Sequence, residues 1–169
     1  MSESAPGDRS ISSVVEVAVD PSTAFSVFTE ELDLWWVRGP INHHAGGRAL
    51  AMRCEPGVGG RLLEVYNDTT GDALELARIT AWEPGKRLVF TWRQSSFAPE
   101  QSTEVEVSFA AVGAETRISV EHRAWDTIPR RHVARHGFPE PTTLRHVAGW
   151  WRASLEALAR LLATARPPT

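Results

Sequence analysis

Cysteine is almost missing from this chain: Cys54 is the only one in 169 residues. A lone thiol excludes an internal disulfide and any paired-cysteine metal site, so packing alone must hold the fold, as suits a reducing cytoplasm. No apolar run approaches the length that spans a bilayer, and the opening MSESAPGDRS has no apolar stretch of the signal-peptide kind. Charge of either sign is not in excess. The formal net charge of −3 gives no general pull toward nucleic acid or an anionic membrane. Tyrosine occurs once. Against these scarcities stand seven tryptophans, at 35, 36, 82, 92, 125, 150 and 151. An indole is a large apolar plate with one N–H donor, suited equally to a core and to the wall of an apolar pocket.

The length fits one domain. The sequence places it over 11–164, between a disordered polar tail (1–10) and a frayed tail (165–169) that holds Pro167 and Pro168. Alternation of apolar and polar residues predicts strands at 12–19, 49–55, 61–66, 74–82, 86–94, 103–109 and 116–124. Asp20, Pro21 and Ser22 stop the first strand. Asp20 is a natural helix cap and Pro21 fits a first helical position, so a short helix is expected over 21–29 and a second helical turn over 32–36. Residues 142–163 carry Leu144, Val147, Ala148, Trp151, Leu155, Leu158 and Leu162 at spacings of three and four, the signature of one long amphipathic helix. Gly149 interrupts it, which points to close backbone approach or to room left for a ligand. Strands followed by one long helix imply an α+β fold: a curved antiparallel sheet with the helix on one face and a cavity between them.

Several chemistries are absent. There is no Gly-x-Ser-x-Gly elbow, and Cys54 has no neighbouring base. The glycine-rich 56–60 opens a strand, not a helix, and so lacks the helix N-terminus that cradles phosphate. His132 and His136 have zinc-like spacing, but position 133 is Val and no further ligand completes a set; His43 and His44 point apart in an extended segment. Arg130, Arg131 and Arg135 form too small a basic cluster for nucleic acid. No metal and no cofactor is expected.

Five stretches, in order, resemble one family. They are 20–25 (DPSTAF), 56–61 (PGVGGR), 82–92 (WEPGKRLVFTW), 116–125 (TRISVEHRAW) and 146–150 (HVAGW) with Leu155 and Leu158 after it. The chain resembles the SRPBCC/START-like superfamily, in the branch similar to the C-terminal domain of the activator of Hsp90 ATPase. The resemblance implies a helix-grip fold: a curved antiparallel sheet wrapped around a long C-terminal helix, with two short helices after the first strand. Departures stand out. The segment 125–141 is long and rich in His and Arg, and its role is not legible. Ala124 occupies a position where the family usually has glycine, and the Trp150-Trp151 and His43-His44 pairs look particular to this chain.

Within that architecture the expected function is binding of a hydrophobic or amphipathic small molecule between sheet and helix. The expected lining is Trp36, Phe90, Trp92, His122, His146 and Trp150. Two alternatives come with the resemblance: an enzyme of the polyketide cyclase/aromatase type using His122 or His146 for proton transfer, and a chaperone-interaction module of the Hsp90-activator type. For His122, an ordinary buried histidine held by a neighbour is the commoner situation. Exposed sheet or Trp-bearing surface would serve a homodimer, but nothing in the sequence specifies one.

Overall fold

Asp20 sets the first boundary, as its residue type predicts. The computed structural model describes residues 10–37, 51–92, 98, 101–125, 128 and 140–164. Strand β1 (Ile11–Val17) ends just before Asp20, whose carboxylate accepts from the Thr23 backbone N–H at 3.3 Å. Helix α1 (Pro21–Glu30) follows and buries Ala24, Phe25 and Phe28. A single turn, α2 (Leu32–Trp35), comes next and buries Leu32 and Trp35.

The other strands are β2 (Ala51–Cys54), β3 (Arg61–Asn67), β4 (Asp72–Glu83), β5 (Arg87–Trp92), β6 (Thr103–Val112) and β7 (Glu115–Arg123). They form one seven-stranded sheet in the order β1-β7-β6-β5-β4-β3-β2, with every pairing antiparallel. From β2 to β7 the chain meanders. β1 and β2 lie at opposite edges, so α1 and α2 lie in the connection that crosses the sheet's width. Register breaks between Leu62 and Leu63, Val65 and Asn67, and Ile79 and Ala81 add the local twist that curls a sheet. The turn before β3 is tight: a Cβ on Gly60 would sit 2.2 Å from the Glu55 carbonyl oxygen, which only glycine avoids.

Helix α3 (Glu140–Thr164) begins two residues earlier than the spacing predicts; Pro141 fits a first helical turn, where no N–H is needed. Its buried stripe, Val147, Trp151, Leu155, Leu158 and Leu162, shares one core with Phe90, Val105, Val107, Ile118 and Val120 from the sheet. These are the faces that alternation along β5, β6 and β7 selects. The helix packs chiefly along β1, where the Ser13 hydroxyl donates to the Ala148 carbonyl at 3.5 Å.

Gly149 is exposed, and a Cβ there would meet nothing within 4 Å. Close backbone approach is therefore not the reason for glycine. Gly149→Ala is expected to raise stability by up to about 1 kcal/mol, read as a higher thermal midpoint. A lower midpoint would show that this position has a constraint beyond the helix itself.

The outer face of the sheet is charged. Glu106 accepts from Arg87 Nε at 2.7 Å and Arg123 Nη1 at 3.0 Å, and the Arg87 bond is the main cause that holds its carboxyl below the usual range. Arg53, Arg78 and Glu121 pair there with Asp68, Glu75 and Arg123. Glu64 differs: it is buried, in register with Met52 and Leu74 on the face that carries the core. His43, His44, His132, His136 and the arginines at 130, 131 and 135 lie outside the described residues, as do residues 1–9 and 165–169 and most of 125–141.

Candidate functional site

Four indoles converge where α2, β5 and α3 meet. Trp36 follows α2 directly, and its N–H bonds back to the Leu32 carbonyl at 3.0 Å, which fixes the chain as it leaves the helix. Trp92 ends β5 on the same face as Leu88 and Phe90. Trp150 and Trp151 sit mid-helix on α3. Trp36 stacks on Trp92 with ring centroids 5.4 Å apart and planes 20° apart. Trp150 meets Trp36 edge-on at 4.8 Å and Trp92 at 5.7 Å. Trp151 lies 6.3 Å from both and 4.6 Å from Trp150. Trp36, Trp92 and Trp151 are buried, whereas Trp150 is only partly so and donates its N–H to the Val37 carbonyl at 2.7 Å.

His122 stands behind this group, 1% exposed, with its ring 5.6 Å from Trp92. Its tautomer follows from its partners. An indole nitrogen only donates, so Trp151 Nε1, at 3.1 Å, makes Nδ1 the acceptor. The proton of the neutral ring is then on Nε2, which donates to Thr103 Oγ1 at 2.7 Å. The Thr103 hydroxyl can in turn donate to the Trp92 carbonyl, 3.5 Å away. Both ring nitrogens are satisfied by the protein. Burial also depresses the imidazole to about 3, so His122 stays neutral across the physiological range. A base that weak, with its lone pair occupied, is poorly suited to proton transfer. Its visible work is positional: one chain of hydrogen bonds ties α3, β7, β6 and β5 together beneath the indoles.

The other expected residues fall as follows. Phe90 is fully buried two positions before Trp92, in register with Ile79 and Val105. His146 is exposed on α3, away from the buried stripe. Three participants were not singled out from the sequence. Trp151 belongs to the core stripe that the spacing marks, but spacing carries no sign of its donation to His122. Thr103 shares the inward face of β6 with Val105 and Val107, so alternation does mark it. Trp125 sits 5.0 Å from His122, just past the strand end. Cys54 offers no nucleophile near neutrality, because burial, with a smaller contribution from Glu55, pushes its thiol up to about 11.

Ala124 separates His122 from Trp125 by a backbone turn with φ 68°. Left-handed backbone is costly for any residue with a Cβ, so glycine is the residue this turn favours. Ala124→Gly is expected to stabilise the fold by about 0.5–1 kcal/mol, measured by urea unfolding. A loss of stability would mean that the alanine methyl packs usefully.

Among the described residues, no cluster of three metal-ligating side chains occurs and no helix is long and apolar enough to cross a membrane. No curated protein matches the chain. Solved structures do. Protein MLL2253 from Mesorhizobium loti is 18% identical with a TM-score of 0.61, over 93% of this chain and 100% of that one. The Aha1 dimer from Colwellia psychrerythraea is 16% identical with a TM-score of 0.61, over 94% and 98%. An Hsp90 activator from Plasmodium falciparum is 18% identical with a TM-score of 0.60, over 91% and 96%. At such identities the likeness is one of fold, and the fold is the helix-grip arrangement the sequence suggested. Residues 18–163 also match the family described as activator of Hsp90 ATPase homolog 1-like protein. That match covers most of the chain, which therefore belongs to the activator of Hsp90 ATPase homolog 1-like family.

Proposed function

We propose that this protein binds a hydrophobic or amphipathic small molecule between the curved sheet and α3. One observation carries the reading: Trp36, Trp92 and Trp150, from three separate elements, bring their rings within 6 Å of one another, and Trp150 extends the group to the partly exposed surface. Aromatic side chains that gather on the inner face and reach its edge are what a flat apolar ligand requires. Trp36, Phe90, Trp92 and Trp150 supply contact area. His122 holds Trp92 and Trp151 in place from behind, and His146 stands at the solvent side of the helix. Native mass spectrometry of freshly purified protein tests this reading. A one-to-one small-molecule adduct, diminished in Trp150→Ala, is the expected result. An adduct that survives the substitution unchanged would place binding elsewhere.

The pocket-histidine enzyme is the weaker reading, because His122 has no free nitrogen and stays neutral. A chaperone-interaction module draws its support from the family match and from the Plasmodium falciparum activator. Stimulation of an Hsp90 ATPase by the pure protein would support that function. The Colwellia psychrerythraea neighbour is a dimer. Light scattering over a concentration series would show whether this chain also pairs.

A further inference from the structure

We infer that two copies of this chain pair through the outer face of the sheet, along β1, β7 and β6, about a two-fold axis that crosses β7 at Ser119. This surface lies opposite the face that carries the core, so the inference is independent of the small-molecule reading. The order of residues in β7 carries it. Thr116, Ile118, Val120 and His122 are buried on the core side, which leaves Glu115, Arg117, Ser119, Glu121 and Arg123 on the outside. Counted outward from Ser119, each charge has its opposite at the same distance on the other side: Arg117 with Glu121, and Glu115 with Arg123. A strand with this order is complementary to itself when turned end for end. The two-fold axis sets Arg117 of each copy over Glu121 of the other, and Glu115 over Arg123.

The neighbouring strands fit the same axis. Val14 of β1 lies opposite Ser119 on one side and Ser108 of β6 lies opposite it on the other, so one uncharged row crosses all three strands. Val14 is 59% exposed, the most exposed large apolar side chain of the described strands. Beside it, Ser12, Ser108 and Ser119 help to line a shallow depression of about 260 Å³, where Val14 of a second copy can seat. On β1 the axis sets Glu16 over Ser12, whose hydroxyl can donate to the carboxylate. On β6 it sets Glu106 over Ala110. No like charges face each other on these strands. An axis along the strands would instead set Arg117 on Arg117 and Glu121 on Glu121, which repel. The patch ends at β5, where Arg87 lies in register with Ser108 and would meet its own counterpart. The curl of the sheet carries that strand away from the contact.

Arg117 and Glu121 remain about half exposed although each has a neighbour within its own chain: Glu16 lies 3.0 Å from Arg117, and Arg123 lies 3.5 Å from Glu121. Arg117 and Glu121 of one chain stand four positions apart on a strand, about 13 Å, too far to pair with each other. Facing sheets stack about 10 Å apart, a gap that arginine and glutamate bridge by reaching from both sides. The patch is small. Three strands up to about 30 Å long offer roughly 400 Å² per copy, half of what a standard interface buries. The pair is therefore weak, held largely by charge, and loosened by salt.

Sedimentation equilibrium of the whole protein, from about 1 μM to about 1 mM, tests the inference. A monomer–dimer equilibrium is expected, with a dissociation constant that rises about tenfold or more between about 0.05 M and about 0.5 M salt. Arg117→Glu and Glu121→Arg should each weaken pairing about tenfold or more, because each sets like charges face to face at two places. Mixed in equal amounts, the two variants should pair with each other more tightly than either does with itself, since the mixed pair again matches opposite charges. Loss of the contacts within one chain cannot produce that recovery. Val14→Lys, at the axis, should abolish the dimer. A monomer at every concentration overturns the inference. So does a dimer indifferent to salt and to these substitutions, or a pair of weakened variants that mixing does not restore.

Discussion

Lowering the pH from 7 to 5 is expected to cost this protein about 2 kcal/mol through His122 alone. The buried ring titrates near 3, against 6.5 for a free imidazole. In the unfolded chain the ring takes up a proton as the pH falls through 6.5, but in the folded protein it stays neutral. Its contribution is therefore complete above about pH 6.5 and is lost progressively toward pH 3, where the full difference approaches about 5 kcal/mol. The window between pH 6.5 and 5 belongs to the histidine, because the carboxylates held low by partners, Glu55, Glu106 and Asp20, begin to protonate only below it. Urea unfolding at pH 7, 6 and 5 measures the effect. His122→Gln removes the titration, keeps an amide N–H for Thr103, and should give a nearly flat line over the same range. Parallel slopes for the two proteins would show that His122 is not buried neutral.

Trp151→Ala should be the most damaging single substitution at the site, by about 3–5 kcal/mol. Trp151 is fully buried, its ring meets those of Trp36, Trp92, Trp150 and His122, and its N–H fixes the His122 tautomer. Truncation opens a cavity among large side chains and strands an acceptor. Trp151→Phe separates the two effects. It retains much of the packing and loses the hydrogen bond, for an expected cost of about 1–3 kcal/mol. A double-mutant cycle with His122→Leu, which removes the acceptor, should then give a coupling of about 1 kcal/mol or more. Additivity would mean that the bond contributes nothing to the folded state.

Much of this arrangement was legible in the sequence, because it depends on period. A repeat of two put Leu88, Phe90 and Trp92 on one side of β5, and Ile118, Val120 and His122 on one side of β7. A repeat of three and four gave α3 its stripe. The Asp20 and Pro21 pair marked the first helix on local chemistry alone. Strand ends were less legible, since they depend on where pairing stops: β6 runs on to Val112, where it meets Glu115 of β7.

Pairwise chemistry between elements was beyond reach. The bond between Thr103 and His122 depends on the β6–β7 register, in which Val105, not Thr103, lies opposite His122. Trp150 and Trp151 point about 100° apart on the helix, yet both reach Trp36, because an indole is long enough to bridge neighbouring faces. Four residues from Trp150 make slightly more than one turn, and at the margin of the stripe that offset leaves Trp150 half-buried and His146 exposed. The unpaired Trp92 N–H had no sequence signal, since it depends on how the surrounding side chains pack.

The most direct test of the account follows the seven indole N–H resonances of nitrogen-15-labelled protein during titration with benzophenone. Binding between sheet and helix predicts saturable shifts of Trp36, Trp92 and Trp150. Trp82, which packs on Phe25 at the opposite end of β5, should stay still. Resonances that do not move at any probe concentration, or a shift confined to Trp82, would contradict it.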